Sequence, residues 1–136
     1  TRLEEGDIML AVMATIGRCA IVPPHLSGGN VNRALAVLKL TKEINPKYIL
    51  YSLLSPQIQT LFQSKKQGTA QSRINLGDLR RYCVPIPPLA EQERIIQLLS
   101  DVINEHELLE LTLTNQLKSL LELKQSILQE AFNGNL

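Results

Sequence analysis

The sequence predicts an α+β fold: a small mixed sheet with short helices over residues 1–88, then one long coiled-coil-type helix over residues 89–136. Three observations predict it. Residues 1–88 break their apolar runs into short pieces bounded by Gly, Pro and Asn, the punctuation of strands and short helices. From Leu89 to Phe132 there is neither Pro nor Gly, and twelve residues are Leu. The charge divides at the same place: 11 Lys/Arg against 5 Asp/Glu before residue 89, and 3 against 8 after it, or +6 and −5.

Taken in order, Gly6-Asp7 is a turn signal, and Ile8 to Met13 is an apolar run suited to a buried strand. Thr15-Ile16-Gly17-Arg18 reads as a turn into a second strand, Cys19 to Val22, closed by Pro23-Pro24. After the loop Ser27-Gly28-Gly29-Asn30, a third strand runs from Ala34 to Leu40. Asn45 is placed to cap a helix whose first residue is Pro46, because a proline there forfeits no hydrogen bond. Ile49, Leu50, Leu53 and Leu54 form its apolar stripe until Ser55-Pro56 interrupts it, and Ile58, Leu61 and Phe62 carry the stripe on to Lys65. A polar loop, Thr69 to Asn75, precedes a short helical piece near Leu76 to Tyr82. Val84-Pro85-Ile86-Pro87-Pro88 is an extended connector, since each proline biases its predecessor toward extended geometry.

The final segment carries two heptad series, Leu99, His106, Leu113, Leu120, Ile127 and Val102, Leu109, Gln116, Leu123, Glu130. Together they make an a/d seam interrupted by His106, Gln116 and Glu130, and Ile96, Ile103, Leu117, Leu121 and Leu128 widen it. Glu91 and Glu93 suit the positive end of a helix dipole, and Asn133-Gly134 supplies the stop. Such a helix is roughly 60–65 Å long at 1.5 Å per residue. The residues expected to pair with another helix are Leu99, Val102, His106, Leu109, Leu113, Gln116, Leu120, Leu123 and Ile127.

At 136 residues and 44% apolar composition, the chain matches one domain with an appendage and is too apolar for a disordered one. No uncharged apolar run reaches the roughly 18 residues that span a bilayer, and no leader opens the chain. Thr1 stands where an initiator Met is expected, which points to a fragment. Cys19 and Cys83 lie far apart outside any Cys-x-x-Cys pattern, fitting a reducing cytoplasm and arguing against a zinc site.

Catalytic signatures are absent: there is no P-loop, Gly-x-Ser-x-Gly or His-Glu-x-x-His. His25 reads as a solvated loop residue, and His106 as a polar seam residue that sets helix register. Asn45-Pro46-Lys47-Tyr48 is similar to the Asn-Pro-Pro-Tyr motif of amino-methyltransferases, but Lys47 replaces the second proline and no Gly-x-Gly loop follows a strand. The helix-cap reading prevails, and no cofactor is expected on this chain. Binding residues are better represented. Lys65, Lys66, Thr69, Gln71, Ser72 and Arg73 combine cations, amides and hydroxyls in one loop, the groups that read a duplex major groove and its phosphates. Asn30, Asn32 and Arg33, with Ser27, make a second polar cluster, and Thr15 with Arg18 a third. Aromatic residues are only 4% of the chain, which favours duplex DNA over splayed single strands as the polyanion.

Several segments together resemble the DNA specificity subunit of type I restriction–modification enzymes. They are Gly6-Asp7-Ile8, Thr15-Ile16-Gly17-Arg18, Gly68-Thr69-Ala70-Gln71 with Ile74-Asn75, and above all Val84 through Ile95 and Leu123 through Leu136. The resemblance implies a recognition domain that reads half of a two-part DNA sequence and a long helix that sets the spacing between two such domains. It implies methylation subunits that dock on the scaffold and carry S-adenosylmethionine, and a restriction subunit that joins them. By position, the DNA-facing loop would be Gly68 to Asn75 and the junction Pro87 to Ile95. The chain would then hold part of one recognition domain and one helix, and its stripe would be covered by a second copy or a second helix of the same kind. Two further readings are a recognition tail from a fused methyltransferase–nuclease and a helical assembly module that touches no nucleic acid.

Overall fold

The computed structural model describes residues 2–64 and 73–134. Three strands, β1 (Ile8–Ala11), β2 (Cys19–Ile21) and β3 (Leu35–Leu38), form one sheet in the order β2-β1-β3. Both pairings are antiparallel: Ile8 faces Ile21 and Leu38, and Leu10 faces Cys19 and Ala36. Within the α+β class the sheet is therefore not mixed. Its strands are joined by a hairpin and by a loop that holds only a 3-10 turn, Pro24–Leu26, and not the crossover helix that joins a parallel pair. Among the described residues four α-helices follow: α1 (Pro46–Leu54), α2 (Pro56–Ser64), α3 (Leu76–Leu79) and α4 (Leu89–Phe132).

The strands are shorter than the apolar runs, and hydrogen bonding explains where β1 stops. At Val12 the chain leaves β1's two partner strands: its N–H donates to Ala34 O at 2.9 Å, and its carbonyl accepts from Ile74 N at 2.9 Å. Met13 then bridges to Arg73. The end of β1 thus holds two loops instead of a longer ladder. At the tip of the β1–β2 turn, Ala14 takes a left-handed φ of +58°.

Ile8 and Leu10 meet Tyr48, Ile49 and Leu53 of α1 and Phe62 of α2 in one core, with Val12, Ile16 and Ile74 closing its end. Asn45 caps α1 through Oδ1, which accepts from Lys47 N at 2.9 Å. Ser55 is extended, as a residue before proline must be, and this separates α1 from α2. Gln59 ties α2 back: its Nε2 donates to Leu53 O at 2.8 Å and to Gly17 O at 3.0 Å. The Phe62 and Tyr82 rings pack with centroids 5.3 Å apart.

Two buried polar groups organise the ends of this region. The Asp7 carboxylate accepts from Glu4 N at 2.8 Å and pairs with Lys39 Nζ at 2.8 Å. That hydrogen bond holds the lysine above its ordinary pKa. Gln92, in the first turn of α4, is completely buried. Its Oε1 accepts from Asn45 N at 2.9 Å, and its Nε2 donates to Pro87 O at 2.8 Å and Glu43 O at 3.1 Å.

The chain divides into two compact units, Thr1–Ile96 and Gln97–Leu136, so the division falls inside α4. Ile95 and Ile96 still pack against the core of the first unit. In the second, α4 ends at Phe132, and Gly134 follows at φ +72°. No helix among the described residues is long and apolar enough to cross a membrane.

Candidate nucleic-acid interface

A groove of about 630 Å³ opens where the held loops meet the end of β1. Val12, Leu35 and Ile74 supply apolar lining, and Asn32, Arg33 and Arg73 supply amide and guanidinium groups. All three polar residues are exposed. They come from two loops about forty residues apart, and the backbone of Val12 brings those loops together by bonding Ala34 on one side and Ile74 on the other. No acidic residue is among those lining the groove. Two guanidinium groups thus stand over an apolar floor, with no carboxylate among the lining residues to neutralise them.

The local geometry also sets what each group offers. Asn32 Oδ1 is engaged by Ala34 N at 2.9 Å, a turn that stiffens the loop and leaves Nδ2 as the donor for a ligand. Asn75, also lining the groove, caps α3 by accepting from Gly77 N at 3.0 Å. It spends its acceptor on the helix in the same way.

The remaining expected contacts fall into three groups. Thr15 and Arg18 are exposed on the β1–β2 turn and do not line this groove. Asn30 is drawn away from it: it bridges to Arg2, while Leu3 exchanges hydrogen bonds with Gly28 and Gly29 on the same loop. Lys65, Lys66, Thr69, Gln71 and Ser72 lie outside the described residues. Sequence reasoning missed Val12 as the residue that joins the loops, since its only signal is membership of an apolar run. It also missed Gln92, whose role depends on partners more than forty residues away.

On α4, the residues expected to pair helices are uncovered by the chain itself. Val102, Leu109, Leu113 and Leu120 are 62–64% exposed, and His106 and Gln116 are exposed between them. Among the described residues, no group of three or more His, Cys, Asp or Glu is placed to hold a metal. Both cysteines are free thiols, and burial pushes the Cys19 thiol up in pKa.

The profile of the type I restriction modification DNA specificity domain matches residues 1–119. The chain belongs to that family. Among curated relatives, the specificity subunit of the type I restriction enzyme EcoBI from Escherichia coli is 34% identical over 100% of this chain and 29% of its own length. The putative MjaX specificity subunit of Methanocaldococcus jannaschii is 32% identical, over 96% of this chain and 31% of its own. The chain therefore spans about a third of these specificity subunits. A solved chain from work on complex assembly and conformational transition of the type I R-M system aligns over 98% of this chain and 32% of its own, with TM-score 0.77 and 26% identity. The HsdS subunit from Thermoanaerobacter tengcongensis shares the fold over 78% of this chain, with TM-score 0.65. The family match includes the junction from Val84 to Ile95 and α4 as far as Ser119, and the alignment with the EcoBI specificity subunit extends over the whole chain.

Proposed function

We propose that this chain reads one part of a duplex DNA sequence on behalf of a type I restriction–modification complex, and that it catalyses nothing itself. The observation that carries this reading is the convergence of Asn32, Arg33 and Arg73 on one acid-free groove. Arginine forks match guanine O6 and N7, an amide matches adenine, and further cations take phosphates and release their counterions. Lys65, Lys66, Thr69, Gln71 and Ser72 lie between α2 and Arg73 in the sequence, and in this reading they extend the same contact surface. In this reading Thr15, Arg18 and Asn30 serve as phosphate contacts at a distance from the groove.

In the same reading, α4 supports the head and pairs through Leu99, Val102, Leu109, Leu113, Leu120, Leu123 and Ile127 with a second helix of its own type. Methylation and restriction subunits assemble on that scaffold, and the methylation subunit carries S-adenosylmethionine. The decisive experiment is selection of bound sites from a random duplex pool by the chain together with its methylation subunit, repeated with Arg33→Ala and Arg73→Ala. The expected result is an enriched sequence that loses information at separate base pairs in the two variants. Unchanged enrichment in both variants would remove the groove from DNA reading.

A further inference from the structure

The groove offers hydrogen-bond donors and keeps its side-chain acceptors for its own walls, and this polarity restricts the base edges that fit it. We propose that the groove reads the keto bases of the duplex, guanine foremost and thymine second, and takes no adenine through its amino group. The inference rests on the reading of the groove as a DNA-reading site and names the bases that site takes.

Four polar side chains line the groove: Asn32, Arg33, Arg73 and Asn75. A guanidinium group only donates. Each asparagine has one side-chain oxygen, and both oxygens are already engaged. Asn32 Oδ1 accepts from Ala34 N at 2.9 Å, and Asn75 Oδ1 accepts from Gly77 N at 3.0 Å. The first bond shapes the loop before β3 and the second caps α3, so turning either amide outward competes with a wall of the groove. The main-chain carbonyls of the same two residues are spent as well. Asn32 O accepts from Leu35 N at 3.2 Å, and Asn75 O accepts from Asp78 N at 3.0 Å. Two guanidinium forks and two amide NH2 groups are what these side chains hold out to a ligand.

The major-groove edge of guanine answers such a surface with two acceptors, N7 and O6. Thymine answers it with the acceptor O4 and a methyl group, whereas adenine N6 and cytosine N4 are donors. An amino group set against a guanidinium or an amide NH2 leaves two donors facing each other without water, which is costly for both. The apolar part of the groove suits the same bases. Leu76 is 52% exposed at its rim, with Val31 and Leu35 beside the same space, and these can meet a thymine methyl. A phosphate satisfies the same donors but gains nothing from that apolar surface, so the lining favours base edges.

Base analogues test this with the unsubstituted chain and its methylation subunit, so the result does not depend on a variant folding. In the site selected from the random pool, the groove-dependent positions are those lost in Arg33→Ala or Arg73→Ala, with circular dichroism confirming that both variants are folded. Replacing guanine there by 7-deazaguanine, which lacks the N7 acceptor, should weaken binding roughly tenfold. The same analogue should add no further loss in the arginine variant that faces it. At a groove-dependent A·T pair, uracil in place of thymine should weaken binding, and purine in place of adenine, which deletes the amino group, should not. A loss on deleting the adenine amino group that disappears in the arginine variants would overturn the inference. So would groove-dependent positions that tolerate both 7-deazaguanine and uracil, since the arginines would then be phosphate contacts. Both of these outcomes leave the chain a DNA reader. A pool that yields no enriched sequence, or one unchanged in both variants, removes the reading of the groove itself and this inference with it.

Discussion

The backbone N–H of Asn45 donates to Oε1 of Gln92 at 2.9 Å across forty-seven residues of sequence, joining the cap of α1 to the first turn of α4. Both residues are fully employed. Asn45 Oδ1 holds the first turn of α1, and the Gln92 amide also holds the carbonyls of Glu43 and Pro87. A neighbouring bond runs the same way, from Tyr48 Oη to Pro85 O at 2.8 Å. The proline-rich connector is therefore fastened to α1 at two points, and its extended form is a consequence of both its prolines and these bonds.

Gln92→Leu fills a similar volume but leaves one donor and two acceptors without partners. Each orphaned group costs about 1–3 kcal/mol when buried and less where water can reach it. The expected loss is about 2–4 kcal/mol, read as a lower denaturant midpoint with unchanged slope. A midpoint equal to that of the unsubstituted chain would show that the clasp contributes nothing.

Gly17→Ala should destabilise the β1–β2 turn for two separable reasons. Gly17 has φ +90°, and an added Cβ would lie 2.5 Å from Gln59 Oε1. The expected cost is about 2 kcal/mol, of which about 1 kcal/mol is the left-handed backbone. Measuring the cost of Gly17→Ala in thermal melts both in the unsubstituted chain and in a Gln59→Ala background separates the two, because that background already lacks the Gln59 hydrogen bonds and the collision, so that only the backbone cost remains.

Glu91 and Arg94 form a two-pronged pair at 2.7 and 2.8 Å in the first turns of α4. The hydrogen bond from Arg94 holds the Glu91 carboxyl below its ordinary pKa of 4.5. A depressed acid contributes its stability above the unfolded pKa and loses it as pH falls through the folded one. The pair is exposed, so the stability effect is small, and carboxyl NMR is the sensitive measurement. Glu91 should titrate below 4.5, and Arg94→Gln should return it to the ordinary range.

Arg73→Ala should lose about 1–3 kcal/mol of discrimination at one base pair. Lys65→Ala and Lys66→Ala should instead weaken all duplexes about equally and flatten the salt dependence. Competition binding with singly substituted duplexes at several salt concentrations distinguishes the two patterns. Equal losses on every sequence for Arg73→Ala would make it a phosphate contact.

Much of the fold was legible because it is decided within a few residues. Asn45-Pro46 begins α1 through a bond to Lys47, Ser55-Pro56 divides two helices by proline sterics, and α4 runs from Leu89 to Phe132 with no residue inside it to break it. The heptads announced a seam, and the exposed leucines of α4 agree that this chain alone does not cover it. Tertiary structure decided the rest. Whether Asn30 or Asn32 lines the groove depends on Leu3 holding Gly28 and Gly29 on one side and Val12 holding Ala34 on the other. The burial of Gln92 likewise depends on where Glu43, Asn45 and Pro87 come to rest. Hydrogen bonds to distant backbone groups, whether from another backbone group as at Val12 or from a side chain as at Gln92, leave no periodicity in the sequence, because any residue can offer the backbone partner, whereas caps, prolines and apolar stripes act on near neighbours.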